Sequence, residues 1–203
     1  MKRRLRSRVF AQGRGKGFSL VEMVVSLAVL LILSAIAIPT LMRAYRSYLL
    51  SDAAARVAGV MKFTRFEAIR KNTVVGFQVK QTGANWLLWT DSNGNGIADP
   101  TEPEVVVTNP VTMLGSGSVP GPATIVAALG SASPGLTVLS GTNTLVSFDG
   151  RGAVSFSGSA AVYVFYLGNP NISDMGARAV VLLPSGIVQT WTASNASAWV
   201  RVS

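Results

Sequence analysis

The 203-residue chain contains no cysteine and no histidine. Without cysteine there is no disulfide, no thiolate nucleophile and no zinc–thiolate site. Without histidine the usual side-chain base near neutral pH and the commonest transition-metal ligand are both missing. Acidic residues are scarce as well, with nine Asp and Glu against eighteen Lys and Arg. Paired carboxylates are few, and Glu102 with Glu104 reads as loop solvation. These absences argue against an enzyme. A further gap concerns charge of either sign: none occurs from Met23 to Met42. As a helix rising ~1.5 Å per residue, that run is roughly 30 Å long, the thickness of a bilayer's hydrocarbon core.

What is present is unevenly placed. The formal net charge is +9, but seven of the cations (Lys2, Arg3, Arg4, Arg6, Arg8, Arg14 and Lys16) precede residue 18. Without that leader the chain holds eleven cations against nine acids. The basicity is thus a targeting and orienting feature, keeping the N-terminal flank cytoplasmic and sending the C-terminal bulk across the membrane. It is not the footprint of a nucleic-acid binder. An ordinary secretory signal is cut after its apolar stretch and loses it. Here the basic region and the small residues come first, so a cut at their end would leave the apolar helix on the product. Glu22 stands alone at the edge of that helix, where an ionisable group costs about 2–3 kcal/mol or more and calls for a functional reason.

The run Lys16-Gly17-Phe18-Ser19-Leu20-Val21-Glu22-Met23, continuing to Pro39, resembles the class III signal of type IV pilins and type II secretion pseudopilins. The resemblance implies cutting by a prepilin peptidase between Gly17 and Phe18, N-methylation of Phe18, and a role for Glu22 in assembly, where it meets the terminal amine of a neighbouring subunit. In a low dielectric each of those charges would be costly alone. The implied partners are the peptidase, an inner-membrane assembly platform and other pilins. The implied location is the bacterial inner membrane, single-pass with the C-terminal domain periplasmic or extracellular, and then a pilus or pseudopilus.

The chain then divides into a leader (1–17), a transmembrane part of a long helix (18–42), an amphipathic part (43–71) and a β-rich domain (72–203). In the amphipathic part Leu41, Tyr45, Leu49, Ala53, Val57, Val60, Met61, Ala68 and Ile69 recur at steps of three and four. Strands are predicted at 74–80, 86–90, 104–108, 144–148, 153–156, 162–167, 178–183 and 187–191, with turns at Asp149-Gly150-Arg151-Gly152 and Pro184-Ser185-Gly186. Residues 115–143, nearly half Gly, Ser or Pro, read as irregular and exposed, with room for a short strand at 124–129. The class is α+β, pilin-like: a long N-terminal helix, its first half transmembrane, packed on antiparallel β-sheet.

Residues 63–72, 148–152 and 178–186 resemble the GspH/FimT branch of minor pilins and pseudopilins. That branch includes DNA-binding members, which implies a rival role in DNA uptake through a Gly-Arg-x-Arg element. The matching stretch, Gly186-Ile187-Val188-Gln189, lacks both arginines, so nucleic acid is the less favoured partner. The four tryptophans read as packing residues. One motif stands apart. Asp91, Asn93, Asn95, Gly96, Ile97, Asp99 and Glu102 fit the spacing D-x-N-x-N-G-x5-E of a calcium loop. Against calcium, only three of those side chains are carboxylates, Pro100 interrupts the loop, and no helices are predicted to flank it. A plain polar turn asks for the same Asn-Gly-Asn-Gly.

Overall fold

The computed structural model describes residues 17–119, 125, 135–138, 143–155, 161–193 and 199–202. Residues 1–16 of the leader and most of 115–143 therefore lie outside the described residues, as does Phe156. One helix, α1 (Leu20–Lys71), runs through two compact units, Met1–Leu41 and Met42–Ser203.

In the first unit α1 exposes its apolar side chains all round, and none of its most apolar 18-residue window is buried. Its hydroxyls are hidden within the helix. Ser26, Ser34 and Thr40 each donate to the carbonyl four residues earlier, at 2.7, 2.7 and 3.2 Å. Such back-bonding lets a polar residue sit in an apolar environment without an orphaned donor. Pro39 lies inside the helix and brings no N–H of its own.

In the second unit α1 packs on two sheets. Leu50, Ala53, Ala54, Val57, Ala58, Val60, Met61, Thr64, Glu67 and Ala68 are its buried residues. The predicted stripe is thus partly displaced: Tyr45 and Ile69 are exposed, while Leu50, Ala54 and Ala58 carry the contact. Leu49-Leu50 and Ala53-Ala54-Ala55 offer apolar residues to two adjacent faces, and spacing alone does not choose between them. The helix ends where Asn72 takes φ +48°, the left-handed conformation suited to a C-terminal cap.

The first sheet is antiparallel, in the order β3 (Glu104–Val107), β2 (Asn85–Asp91), β1 (Val75–Thr82), β6 (Asn143–Phe148), β7 (Val154–Ser155). β1 and β2 join through the two-residue loop Gly83-Ala84, tighter than the five-residue connection expected from sequence. Gly83, with φ +62°, occupies the first loop position, where a type II′ hairpin turn wants glycine.

The second sheet runs β11 (Val200–Arg201), β10 (Val188–Ala193), β9 (Ala177–Leu182), β8 (Ala161–Gly168). Two short strands share the far edge of β8: β4 (Thr112–Leu114), antiparallel, and β5 (Gly135–Val138), parallel. Both sheets are antiparallel as expected, with the short β5 the one parallel pairing among the described strands. β4, β5 and β11 were missed, being two to four residues long and carrying little periodicity of their own.

The main core lies between α1 and both sheets, with Phe77, Leu88, Phe148, Phe165 and Leu182 fully buried. Phe77 and Phe165 meet edge to face across it at 5.7 Å. A second cluster covers the other side of the second sheet and joins Val164, Tyr166, Val181 and Trp191 to Leu114, Ile125 and Trp199. Ile125 is 0% exposed. The segment 115–143, expected to be irregular and exposed, therefore contributes both a strand and a buried anchor. The second sheet is apolar on both faces, and Val180, Val181 and Leu182 are consecutive buried residues because each face has a cover.

Glu67, only 6% exposed, accepts from Arg70 at 2.6 and 2.9 Å and pairs with Lys71 at 3.1 Å. The Arg70 hydrogen bonds, against the opposing effect of burial and with help from Lys71, hold its carboxyl down at about 2 from 4.5. A depressed carboxyl pKa contributes stability that is complete above the unfolded-state value and is lost as pH falls toward the folded value. Thermal melts from pH 5.5 to 2.5 should therefore show wild-type stability declining below about 4.5. A Glu67→Gln variant should be less stable at neutral pH and decline less steeply over that window.

Candidate functional site

The residues singled out by the sequence fall in three places. At the N-terminus, residues 17–19 precede the helix, and Phe18 is 81% exposed. Glu22 lies in the first turn of α1, where the partial positive charge of the helix end favours a carboxylate. Ser19 and Glu22 also have the spacing of a capping box, so a local role for Glu22 stands beside the intermolecular one. Glu22 forms no ion pair among the described residues. Cleavage after Gly17 would place a new amine four residues before this carboxylate.

The second place is the loop after β2. Asp91, 3% exposed, closes it. Its Oδ1 accepts from the amides of Gly94 (2.8 Å) and Asn95 (3.1 Å), and its Oδ2 from Gly96 N (3.0 Å) and Gln78 Nε2 (3.0 Å). Asn93 and Asn95 accept through Oδ1 from amides two residues on, and both direct their Nδ2 to Asp99 Oδ2, at 2.7 and 3.0 Å. Glu102 accepts from Ser92 N at 2.6 Å and Asp99 N at 3.3 Å. The structure brings together all the oxygen-bearing side chains the sequence singled out, but as mutually satisfied partners. Among the described residues no three acidic side chains converge as a metal cage.

This wiring carries its own expected result. Asp91→Ala removes the acceptor of three backbone amides and one side-chain amide and should cost about 2–4 kcal/mol. In chemical denaturation the loss should be the same in calcium and in EDTA. A loss confined to calcium-containing buffer would instead assign Asp91 to a cation.

The third place joins segments that the resemblance marked separately. The segments 63–72, 148–152 and 178–186 meet in space. Arg65 on α1 donates from Nε to the Gly152 carbonyl at 3.0 Å, and Val154 N donates to Pro184 O at 2.9 Å. Gly150 abuts Asn72 at the end of α1, and Gly186 abuts both Gly152 and Arg65. Asp149 Oδ1 shapes its turn by accepting from Arg151 N and Ala153 N, each at 2.9 Å. A turn of the first sheet and a turn of the second are thereby clamped to the same stretch of helix. These contacts make this place a structural junction between the helix and the two sheets. The sequence marked these segments by resemblance and by the glycine at each turn, but not that they meet.

The surface features that would carry nucleic acid are poorly placed. All four tryptophans are buried, Trp86, Trp89, Trp191 and Trp199 being 3–6% exposed. Gln189, in the stretch matching the DNA-binding element, is buried and accepts from Trp191 Nε1 at 3.2 Å. Arg178 is turned to Ser47 and Ser51 of α1. Stacking on bases requires exposed rings, and tracking a nucleic-acid backbone requires a row of clustered cations, which one arginine does not make.

A long apolar-led helix whose second half forms the spine of a two-sheet domain defines a pilin-like subunit. The chain belongs to the family described as type II transport protein GspH, whose profile matches residues 53–186. The prokaryotic N-terminal methylation motif matches residues 13–38. Among curated proteins, the pilin-like protein PilA1 of Thermus thermophilus is 38% identical over 88 residues, 43% of this chain and 55% of that protein. The match thus spans little more than half the length of that relative. Among solved structures, the type IV minor pilin FimU of Pseudomonas aeruginosa aligns over 73% of this chain and 91% of that one, at 15% identity and a TM-score of 0.46.

Proposed function

We propose that the chain is a minor pilin or pseudopilin, a structural subunit of a type II secretion pseudopilus or a type IV pilus. It is processed by prepilin peptidase between Gly17 and Phe18, methylated on Phe18, and held in the inner membrane by the uncharged first half of α1. It then enters a helical filament through that helix. The observation that carries this reading is the order of parts. The methylation motif at 13–38 overlaps the start of a 52-residue helix whose first half is exposed and membrane-length. Cleavage there yields an anchored subunit with a free amine next to Glu22. Transfer from lipid into a bundle of like helices keeps the apolar surface covered throughout.

In this reading the remaining partners are the assembly platform and other pilins, and the 91–102 loop is a self-closed turn that needs no cation. The deciding experiment is the mass of the N-terminal peptide from the membrane or sheared-filament fraction. A chain starting at N-methyl-Phe18 supports the reading. An intact leader, or cleavage beyond the apolar run, overturns it.

A further inference from the structure

Three arginines gather beside the first turns of α1 that follow its uncharged run. Arg46 donates from Nη1 to both carboxylate oxygens of Asp174, at 3.0 and 3.2 Å, and Arg43 Nε lies 3.7 Å from the same group. Asp174 sits in the short 3-10 turn Ser173–Met175, immediately before β9. The third arginine, Arg178 of β9, donates from Nη2 to Ser47 Oγ and Ser51 Oγ, both at 3.1 Å, and from Nη1 to Ala177 O at 3.1 Å. These are neutral acceptors. Arg178 has no ion pair among the described residues, and every Asp and Glu of the sequence is described. It is half-buried, and burial lowers its pKa.

Beside these groups lies an open cavity of about 340 Å³, lined by Arg43, Ala44, Ser47, Asp174, Arg178 and Thr192. Arg43 and Arg178 line the cavity, and its one carboxylate, Asp174, is already shared by Arg43 and the neighbouring Arg46. Ser47 and Thr192 add hydroxyl donors. An excess of forked cationic donors around a cavity suits an anion with several acceptor oxygens, phosphate above all.

The position of these residues along α1 indicates where the phosphate comes from. The headgroup layers add roughly 5–7 Å on each side of a ~30 Å hydrocarbon core. That is about three to five residues of helix at ~1.5 Å each. Counted from Met42, the interval covers residues 43–47 and so includes the Arg43, Ala44 and Ser47 of the cavity wall. We propose that this cavity binds the phosphate of a phospholipid headgroup while the subunit is held in the membrane. The proposal rests on the anchored-helix reading above. The lipid contact tethers the β-domain to the headgroup layer, and it must be given up when the subunit leaves for a filament.

The test uses the full chain, delipidated in dodecyl maltoside and titrated with palmitoyl-oleoyl phosphatidylglycerol under native mass spectrometry, with inorganic phosphate as the second probe. One retained lipid is expected. Arg43→Gln, which changes a side chain 69% exposed, and Arg178→Gln should each weaken it about tenfold, one lost charged hydrogen bond. Arg178→Lys should retain more lipid than Arg178→Gln. Lipid retention unchanged in both glutamine variants overturns the proposal. Inorganic phosphate displacing the lipid at equal concentration overturns its lipid source and makes free phosphate the ligand. Alkaline carbonate extraction of membranes separates the two readings. A chain released by carbonate defeats the anchoring itself, whereas a resistant chain with unaltered lipid binding defeats only the cavity.

Discussion

Gly186→Ala should destabilise the β-domain by roughly 3–5 kcal/mol, among the largest effects of any single methyl group added to this chain. Gly186 has φ +75°, a left-handed conformation that alone costs an L-residue about 1–2 kcal/mol. The larger part is steric. A Cβ at this position overlaps the Gly152 carbonyl oxygen and lies 2.8 Å from Arg65 Nε and 3.0 Å from its Cδ. The oxygen belongs to backbone, and it is the same oxygen that accepts the Arg65 hydrogen bond. Relief requires the 149–152 turn to move away from the 184–186 turn, which breaks the clamp between the two sheets. Gly83 provides the control. It also has positive φ (+62°), but a Cβ there meets nothing within 4 Å. Gly83→Ala should therefore cost only about 1 kcal/mol, the conformational part alone. Thermal melts of both variants in the same detergent measure the difference. Equal losses would show that the junction between the turns yields without cost.

Glu22→Leu should abolish, or reduce by an order of magnitude or more, recovery of the subunit in sheared filaments, while its level in the membrane fraction stays unchanged. Leucine makes the start of α1 more apolar, so insertion is not impaired. What disappears is the carboxylate available to the amine of an incoming or neighbouring chain. In a low-dielectric bundle an unpaired ammonium costs several kcal/mol, enough to shift assembly by orders of magnitude. Glu22→Gln separates this role from the local one. Glutamine keeps the capping-box hydrogen-bonding capacity but not the charge. If the charge acts between subunits, Gln behaves like Leu in filament recovery. If Glu22 serves only the helix start, Gln behaves like wild type, and the intermolecular role is wrong.

Much of the β-domain was legible because its strands carry their own signal. Val75–Thr82, Asn85–Asp91, Ala161–Gly168 and Ala177–Leu182 are rich in branched and aromatic residues, and glycine-bearing turns separate them. What was missed depends on contacts that arrive from elsewhere. β4, β5 and β11 are strands only because β8 and β10 offer edges to pair with. The exact buried face of α1 could not be read between Leu49 and Leu50, since an alanine-rich helix offers two adjacent apolar faces and the sheets choose one. In the 91–102 loop the sequence pattern named the oxygen-bearing residues, and only the fold shows how they bond to one another. Asn93 and Asn95 turn their amides to Asp99, and the Asp91 carboxylate is taken up by backbone amides.

By itself the sequence determined much at the N-terminus: the basic flank, the membrane-length run and the isolated Glu22. These follow from hydropathy and charge summed residue by residue along a helix that closes its own hydrogen bonds, so no distant partner is needed to read them. Tertiary structure alone decided the junction of Arg65 with the 149–152 and 184–186 turns, the burial of Ile125 and the arginine cavity. Arg46 and Asp174 are 128 positions apart, and Arg178 and Ser47 are 131 apart. Such pairs are chosen by how α1 and the two sheets pack, and no local pattern in either segment carries that information.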